Sequence, residues 1–309
     1  MRTFDRPVAI VASASFETPS EPARNEVELL LPVIHDAMAK VGLTQQDIGF
    51  TVSGSSDYLQ GFPFAFVGAL DAVGAWPPIR ESHLEMDGAF ALSEAVAVLQ
   101  HEAIDTALVY AFSRPSRGDL DRTLAIQLDP YSVAPLWPDA RGLAGLQAQA
   151  MRDSGRFAEV PSVTPTYVAD GATAVILAVG DRARELTETP AWIRGIDHRI
   201  DAPALGARDL TRSLSARTAA EHAGATDIDA AFLHVLYPHQ KLLLREALGL
   251  DDQPIHGAAG PMMVGGLQRL AAAADAIAAG DARRAIGHAT SGPCLQQNLV
   301  AVLGSEAAA

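Results

Sequence analysis

The sequence contains a single cysteine, Cys294, among its 309 residues. One thiol cannot form an intrachain disulfide, and it excludes metal sites that are built from paired cysteines. No apolar run approaches the length of about 18 residues that a membrane-spanning helix needs. The segment 1–7, MRTFDRP, lacks the apolar core of a secretory signal peptide. We therefore predict a soluble, cytoplasmic protein with no membrane span and no metal centre.

Basic residues are also scarce. The chain has 23 Lys and Arg against 37 Asp and Glu, which gives a formal net charge of −14. A chain this acidic is a poor partner for nucleic-acid phosphates, so we expect no nucleic-acid function. Hydrophobic residues make up 49% and charged residues 19%, which favours a large core and little disorder. The length suits two domains or one large α/β unit.

Strand-like and helix-like segments alternate along the chain. Helical periodicity is present at 25–41, 88–101 and 216–223. Short apolar segments typical of buried strands lie at 8–12, 50–54, 106–111, 174–179 and 192–196. This alternation predicts an α/β fold in which helices cover parallel sheets.

The second half of the chain repeats the first. VGLTQQDIGFTVSGS around Asp47 matches AGATDIDAAFLHVLY around Asp229, LSEAVAVLQHEAIDTALVYAFS matches LAAAADAIAAGDARRAIGHATS, and TAVILAVG matches NLVAVLGS. A repeat of this length predicts two similar halves, which we place at residues 1–185 and 186–309. Region 113–169 is rich in Pro, Arg and Asp and has no counterpart, so we predict that it is an inserted loop region.

Four polar loops are candidates for a functional site. In doubled α/β sheets, function gathers at the C-terminal ends of strands and the N-termini of helices. The segments 83–88, 234–239, 256–263 and 287–300 meet that condition. The last of them, GHATSGPCLQQNLV, combines an imidazole, two hydroxyls and the only thiol, although Ser-Gly-Pro is also an ordinary turn sequence.

These segments resemble the thiolase superfamily, and within it the lipid-transfer or sterol-carrier type of acyl-CoA thiolases and aldolases. The resemblance covers nearly the whole chain and rests on HVLYPHQKLLLREALGL from His234, DGATAVIL from Asp170 and the tail GHATSGPCLQQNLVAVL. It implies a thiolase-like fold of two similar halves, each with a mixed, mostly parallel sheet and helices, in five α-β-α-β-α layers. It also implies a CoA thioester as substrate and no covalently bound cofactor.

The sequence departs from thiolases at the nucleophile. Thiolases have a cysteine at the N-terminus of the first-half helix, commonly as Cys-x-x-Gly-x-x-Ala-Leu. Gly88 and Leu92 fit that spacing and place Glu85 at the cysteine position, and a shift of one or two residues places Met86 or Asp87 there. None of these is a thiol. We therefore predict that the covalent acyl-enzyme step is lost.

Groups that can transfer protons remain. His234 falls where the family's His-Asp-Cys-Phe motif has its histidine, and we predict that His234, Tyr237 and His288 are catalytic. Retro-aldol cleavage of a β-hydroxyacyl-CoA needs a base, an enolate stabiliser and an acid, but no nucleophile. The predicted substrate-binding residues lie in the two glycine-containing loops: His256, Gly257, Gly260, Ser291, Gly292 and Cys294.

Each of these residues also has a structural interpretation. A histidine in an apolar strand, such as His234, is often a hydrogen-bonded core residue. Glu85 and Asp87 can stabilise the start of a helix by capping and by the helix dipole. Cys294 fits no metal-binding pattern and is typical of a buried, inert thiol. We expect His239 to be exposed, because it lies among polar residues.

The resemblance leaves several functions open. The first is a thiolase-like subunit that cleaves a carbon–carbon bond of an acyl-CoA in lipid or steroid side-chain metabolism, within a heteromer. The second is a non-catalytic partner that stabilises an active thiolase or aldolase chain. An acyltransferase without a cysteine nucleophile and a simple acyl-CoA- or sterol-binding protein are further alternatives. The implied partners are a second thiolase-like subunit or a second copy, and a small OB-fold acyl-CoA-binding protein.

Overall fold

The computed structural model describes residues 4–19, 24–76, 78–101 and 103–307. The predicted absence of a signal peptide concerns residues 1–7, of which the first three lie outside the described residues. Within these ranges, no helix is long and apolar enough to cross a membrane. The same ranges contain no group of three or more His, Cys, Asp or Glu side chains that could hold a metal ion.

The described residues form one sheet of ten strands. The first half contains β1 (Val8–Thr18), β2 (Phe50–Gly54), β3 (Glu81–Leu84), β4 (Thr106–Ser113) and β5 (Asp170–Val179). The second half contains β6 (Ala191–Ile200), β7 (Ala230–His234), β8 (Ile255–Ala258), β9 (Arg284–Ser291) and β10 (Gln297–Gly304). The strand order is β3-β2-β4-β5-β1-β6-β10-β9-β7-β8. Each half therefore has the same order, and the two halves meet at their equivalent first strands.

The pairing of the strands is mixed in the same way in both halves. β2 is parallel to β3 and β4, while β5 is antiparallel to β4 and β1. In the second half, β7 is parallel to β8 and β9, while β10 is antiparallel to β9 and β6. In each half four strands therefore run in the same direction and one strand, β5 or β10, is reversed, so the sheet is mixed and mostly parallel as predicted.

Ten helices cover the sheet in the described part of the chain. The first five are α1 (Glu26–Lys40), α2 (Asp57–Gln60), α3 (Ala65–Val73), α4 (Gly88–Val98) and α5 (Leu120–Ile126). The others are α6 (Ala140–Asp153), α7 (Gly180–Leu186), α8 (Leu214–Ala223), α9 (Gln240–Ala247) and α10 (Gly265–Ala279). α5 and α6 lie between β4 and β5, so the region predicted as an inserted loop contains two helices. The proposed boundary between the halves, at residues 185 and 186, stays a prediction.

The hydrophobic core is layered. Phe90 of α4 and Leu267 of α10 belong to a central cluster that also includes strand residues from both halves of the sheet. α1 and α3 pack on the outer side of the first half, through residues such as Leu30. α8 and α9 pack on the outer side of the second half, through residues such as Leu243. The two halves of the sheet join through two residue pairs, Ala9 with Trp192 and Ile10 with Ala191, and they lie on opposite sides of α4 and α10. The predicted α-β-α-β-α arrangement is therefore confirmed, with α4 and α10 as the middle layer.

Strand β1 is longer than predicted. The apolar run predicted a strand at residues 8–12, and the structure extends it to Thr18. Residues 14–18 alternate between half-buried and exposed positions, because one face of this end of the strand points away from the core. A pattern that depends on an apolar run does not detect such a strand end.

Candidate active site

The loops that the sequence singled out surround a cavity of about 210 Å³. It lies where the N-termini of α4 and α10 meet the C-terminal ends of β7 and β9, and the inserted region covers one side. The insert contributes Leu124, Gln127, Leu128, Pro138, Ala140, Leu143, Ala144, Thr166 and Tyr167 to the wall. The remaining wall includes Asp87, His234, Leu236, Tyr237, Gln240, Ala259, Gly260, Met262, Met263 and the segment 290–294.

Asp87 joins the N-termini of the two central helices. Its Oδ1 accepts hydrogen bonds from the Ala89 N–H at 2.9 Å and the Leu267 N–H at 3.0 Å. Its Oδ2 accepts from the Gly266 N–H at 2.9 Å. The residue is only 2% exposed, and this burial raises the pKa of the carboxyl group, while the three N–H donors partly oppose the shift. A single carboxylate therefore caps both α4 and α10.

Two adjacent glycines of α10 allow this close approach. A Cβ atom on Gly266 would lie 2.5 Å from Asp87 Oδ1. A Cβ atom on Gly265 would lie 2.1 Å from the Ala259 carbonyl oxygen and 2.8 Å from His234 Nε2. Any larger residue would displace a wall of the cavity. The Gly-Gly pair before an Ala-rich helix is thus a sequence signal of the site.

His234 ends strand β7 and lines the cavity. The Thr290 N–H donates to its Nδ1 at 3.4 Å, so in the neutral ring the proton belongs on Nε2. Nε2 lies near the Ala259 carbonyl and makes no hydrogen bond of ordinary geometry. Burial, with a smaller effect of the positive charge on Arg269, lowers the pKa of His234 to about 4. The imidazole is therefore neutral at pH 7, with its N–H buried beside the Ala259 carbonyl.

Tyr237 lies in the loop between β7 and α9 and also lines the cavity. Its hydroxyl lies 3.2 Å from Thr166 Oγ1, in the inserted region. Burial raises the pKa of Tyr237, so the phenol stays protonated at neutral pH. The Tyr237 ring stacks on the imidazole of His239 with centroids 6.1 Å apart.

The expectation that His239 is exposed is wrong. The residue is fully buried, because helix α6 of the insert packs over the loop that contains it. His239 Nε2 lies 3.2 Å from Gln147 Oε1, and Gln240 Nε2 donates to the same oxygen at 3.1 Å. Gln147 Nε2 in turn donates to the Cys294 carbonyl at 3.2 Å. Gln147 was not identified from the sequence. A signal was available, because Gln147 follows Leu143 by four residues and so places a polar side chain on the apolar face of α6.

The end of β9 and the loop that follows it bring Ser291, Gly292 and Cys294 to the cavity wall. The thiol of Cys294 is buried and donates to the Leu143 carbonyl at 3.3 Å. Burial raises its pKa to about 11. Since the thiolate is the nucleophilic form of cysteine, this residue is unreactive at neutral pH.

His288 does not line the cavity. It is fully buried in β9, where its Nε2 lies 3.0 Å from Asn298 Oδ1. Asn298 Nδ2 donates to Ser215 Oγ at 2.7 Å. Burial lowers the pKa of His288 to about 3. The residue therefore belongs to a buried polar network behind the site.

Three other predicted residues lie outside the cavity. Glu85 is exposed, and its carboxylate accepts from the Asp57 N–H at 2.6 Å. His256 is exposed and stacks on Phe232 with centroids 4.8 Å apart. Gly257 lines a neighbouring groove instead of the cavity. Among the residues considered for the cysteine position, Asp87 and not Glu85 faces the cavity. Gly260 lies in the cavity wall as predicted.

Comparisons with known proteins agree with this architecture. No family model matches the sequence, and no curated protein matches it. A crystal structure of human mitochondrial 3-ketoacyl-CoA thiolase in complex with CoA superposes with a TM-score of 0.75 at 16% identity, covering 98% of this chain and 99% of that one. A second crystal structure of the human enzyme gives a TM-score of 0.73 at 16% identity, covering 98% of this chain and 100% of that one.

A third solved structure is a monomeric SCP2-thiolase-like protein type 1 from Mycobacterium smegmatis. It gives a TM-score of 0.73 at 17% identity and covers 97% of this chain and 77% of that one. These matches span nearly the whole chain and include the doubled sheet. The resemblance stated from the sequence is confirmed at the level of architecture: the chain has the thiolase fold.

Proposed function

We propose that this chain acts on acyl-CoA thioesters and cleaves a carbon–carbon bond of a β-hydroxyacyl-CoA by a retro-aldol reaction. One observation supports the proposal above all: Asp87, His234 and Tyr237 line a single cavity in which the only thiol is held protonated. Three proton-transfer groups without a nucleophile suit a lyase better than an acyl transfer. The fold shared with a thiolase crystallised with CoA supports a CoA thioester as the substrate class.

The reaction uses each group once. The Asp87 carboxylate accepts the proton of the β-hydroxyl group, and the oxygen forms a carbonyl as the bond between Cα and Cβ breaks. The electron pair of that bond moves onto the thioester carbonyl and produces an enolate. Tyr237 then gives a proton to Cα, which releases a shortened acyl-CoA, and exchange with solvent restores both side chains. A raised pKa makes Asp87 a stronger base than an ordinary carboxylate.

His234 stabilises the enolate in this proposal. A neutral imidazole with its proton on Nε2 can donate a hydrogen bond to an oxyanion without first giving up a charge. That N–H makes no hydrogen bond of ordinary geometry within the protein, and we propose that a substrate oxygen becomes its acceptor. The acyltransferase alternative is less well supported, because the thiol in the cavity wall, Cys294, is held protonated by burial and is therefore a poor acyl acceptor.

The test is an assay with β-hydroxyacyl-CoA that measures the shortened acyl-CoA and the carbonyl product. Replacing His234 with alanine is expected to lower kcat by about 100- to 1000-fold, the usual loss of an oxyanion donor. Tyr237→Phe removes the acid and is expected to lower kcat by about 100-fold or more. His35→Ala, an exposed histidine on α1, is the matched control. Full activity of the His234→Ala protein would refute the mechanism.

A second proposal concerns assembly, because several large apolar side chains of the first half are exposed within a short stretch of sequence. Five exposed large side chains lie in and around α2 and α3: Tyr58, Phe62, Phe64, Val67 and Trp76. We call them the apolar patch. They are close in sequence to β3, an edge strand of the sheet. Exposed apolar patches mark interaction sites, so we propose that this face binds a second thiolase-like chain, either another copy or a different subunit.

Native mass spectrometry of the tagged chain from its own host tests the assembly. We expect a mass of more than one thiolase-like chain, because the apolar patch is then covered. Phe64→Asp combined with Val67→Asp is expected to reduce that mass to a single chain. Leu214→Asp, an equally exposed apolar residue of α8, is expected to leave the complex intact. A single chain in the wild type would contradict the proposal. Co-purification of a small OB-fold protein would identify the predicted third partner.

A further inference from the structure

Helix α6 of the inserted region buries one polar side chain, that of Gln147. The other buried residues of the helix are Leu143, Ala144, Ala148 and Met151, and Gln147 itself is fully buried. Met151, one turn further along, packs in the core of the second half, so the helix is a firm support for this amide. Burying an amide is unfavourable unless hydrogen bonds replace those with water. The partners of Gln147 therefore indicate what it does.

These partners determine the orientation of the Gln147 amide. One end of it lies 3.2 Å from the Cys294 carbonyl oxygen and 3.4 Å from the Leu210 carbonyl oxygen. Carbonyl oxygens only accept, so this end is the NH₂ group. The oxygen at the other end then accepts from His239 Nε2 at 3.2 Å and from Gln240 Nε2 at 3.1 Å. Two donated and two accepted hydrogen bonds use the full capacity of the amide.

The hydrogen bonds continue as a chain from one wall of the cavity to another. The Tyr237 N–H donates to Gln240 Oε1 at 3.3 Å. Gln240 in turn donates to Gln147, and Gln147 donates to the Cys294 carbonyl. Tyr237, Gln240 and Cys294 line the cavity, whereas Gln147 lies behind its wall. Gln147 therefore joins the loop that contains Tyr237 to the loop after β9, without being placed to touch a substrate.

The loop after β9 has a strained backbone. Cys294 and Leu295 have φ angles of 55° and 58°, in the left-handed region that residues with a side chain disfavour. Such conformations persist where the surrounding structure holds them, and they cluster at functional sites. Two side chains hold the Cys294 carbonyl: Gln147, and Arg208, whose guanidinium donates to it at 3.2 Å. Removing either donor is expected to loosen this wall of the cavity.

We propose that Gln147 is a positioning residue, which holds the loop of Tyr237 and the strained loop of Cys294 at a fixed separation across the cavity. The inference rests on the proposed function, in which Tyr237 gives a proton to Cα. A misplacement of about 1 Å can lower a rate by roughly 100-fold, even when its cause lies away from the reacting atoms. The inserted region then supports the chemistry as well as covering the cavity.

Gln147→Met tests the proposal, because it approximates the volume of the side chain and removes its four hydrogen bonds. We expect kcat for the β-hydroxyacyl-CoA to fall by about 10- to 100-fold. KM is expected to change by less than about threefold, since the displaced acid acts in the transition state. Isothermal titration with butyryl-CoA counts the binding sites and so detects any loss of folded protein. Gln149→Met, on the exposed face of the same helix, is the matched control.

The only cysteine of the chain provides a second readout, which does not depend on catalysis. The Cys294 thiol is buried, and burial raises its pKa to about 11, so the native loop protects it from a disulfide reagent. When the loop opens, the pKa returns toward about 8.5 and the thiolate fraction at neutral pH rises by more than about 100-fold. We expect an aromatic disulfide to label Gln147→Met at least about tenfold faster than the wild type, and Gln149→Met at the wild-type rate.

Arg208→Met separates the effects on the two loops. It removes the other donor to the Cys294 carbonyl, but it leaves the hydrogen bonds from Tyr237 through Gln240 to Gln147 in place. We expect faster labelling of the thiol and a smaller loss of kcat than in Gln147→Met. An equal loss of kcat in both variants would show that Tyr237 depends on the strained loop alone, and it would overturn the link through Gln147.

The outcomes distinguish this inference from the proposed function. A wild type that cleaves no β-hydroxyacyl-CoA would overturn the proposed function, and the labelling rates would still test whether Gln147 holds the loop. An active wild type with an unchanged kcat or an unchanged labelling rate in Gln147→Met would overturn the inference alone. A loss of binding sites in proportion to kcat would also overturn it, since Gln147 would then serve folding only. Lower kcat and faster labelling, with KM and the number of sites preserved, would support the proposal.

Discussion

Replacing Asp87 with alanine is expected to lower the free energy of unfolding by about 3 to 6 kcal/mol. The change leaves the N–H groups of Ala89, Gly266 and Leu267 buried without an acceptor, and each such group costs about 1 to 3 kcal/mol. Two helices lose their N-terminal cap at once. Burying the Asp87 carboxylate itself costs free energy, as its raised pKa indicates, so removing it recovers part of the lost stability. The three N–H donors nevertheless remain without a partner after the substitution.

Urea unfolding followed by circular dichroism measures this effect. Asp119→Ala is the matched control, because Asp119 caps α5 at an exposed position through the Arg122 N–H. Loss of an ordinary cap costs about 1 kcal/mol. Asp87→Asn retains an acceptor oxygen but turns an NH₂ group toward backbone donors, so we expect an intermediate loss. If Asp87→Ala costs no more than Asp119→Ala, the double cap contributes nothing to stability.

The position of Asp87 illustrates what the sequence could not establish. Motif spacing placed Glu85 at the cysteine position, with Met86 and Asp87 as alternatives. The choice depends on α10, since two of the three N–H groups that bind Asp87 come from the start of that helix. The residues involved are about 180 positions apart along the chain. The repeat predicted that the loops before α4 and α10 are equivalent, but not that one carboxylate joins both helices.

Repetition and strand patterns were the more informative signals. The internal repeat predicted two similar halves, and the strand order has that same symmetry. Strand β2 has the predicted bounds because it is short, apolar and fully buried. It was harder to predict which side chains of a strand reach the cavity. His288 and Thr290 lie on the same face of β9, yet Thr290 borders the cavity and His288 lies deeper in the core. Depth along a strand depends on what packs against its end.

Stability is expected to fall steeply between pH 6.5 and pH 4, because three histidines are buried in neutral form. The pKa values of His234 and His239 are lowered from 6.5 to about 4, and that of His288 to about 3. Between pH 6.5 and 4 the unfolded chain binds protons at these positions and the native chain does not. Stability therefore decreases as pH falls through this window, and it is fully present above pH 6.5.

The size of this loss of stability follows from the number of protons that only the unfolded chain binds. Each proton bound only by the unfolded chain changes the free energy of unfolding by about 1.4 kcal/mol per pH unit, so three give roughly 4 kcal/mol per unit. Asp87 and Asp275 act in the opposite direction, since their raised pKa values make the native chain more stable when they are protonated. Domains have only about 5 to 15 kcal/mol of stability, so the histidine effect is a large part of the total.

Urea unfolding at pH 7.5, 6.5, 5.5 and 5.0 measures the slope of the free energy of unfolding against pH. His239→Gln is expected to reduce it by about a third, since glutamine does not titrate and can still bond to Gln147. His35→Gln, on the exposed face of α1, is expected to leave it unchanged. A free energy of unfolding that stays constant from pH 7 to pH 5 would contradict the buried, neutral state of these histidines. It would also remove the basis for assigning a neutral His234 to the enolate oxygen, which links this experiment to the proposed reaction.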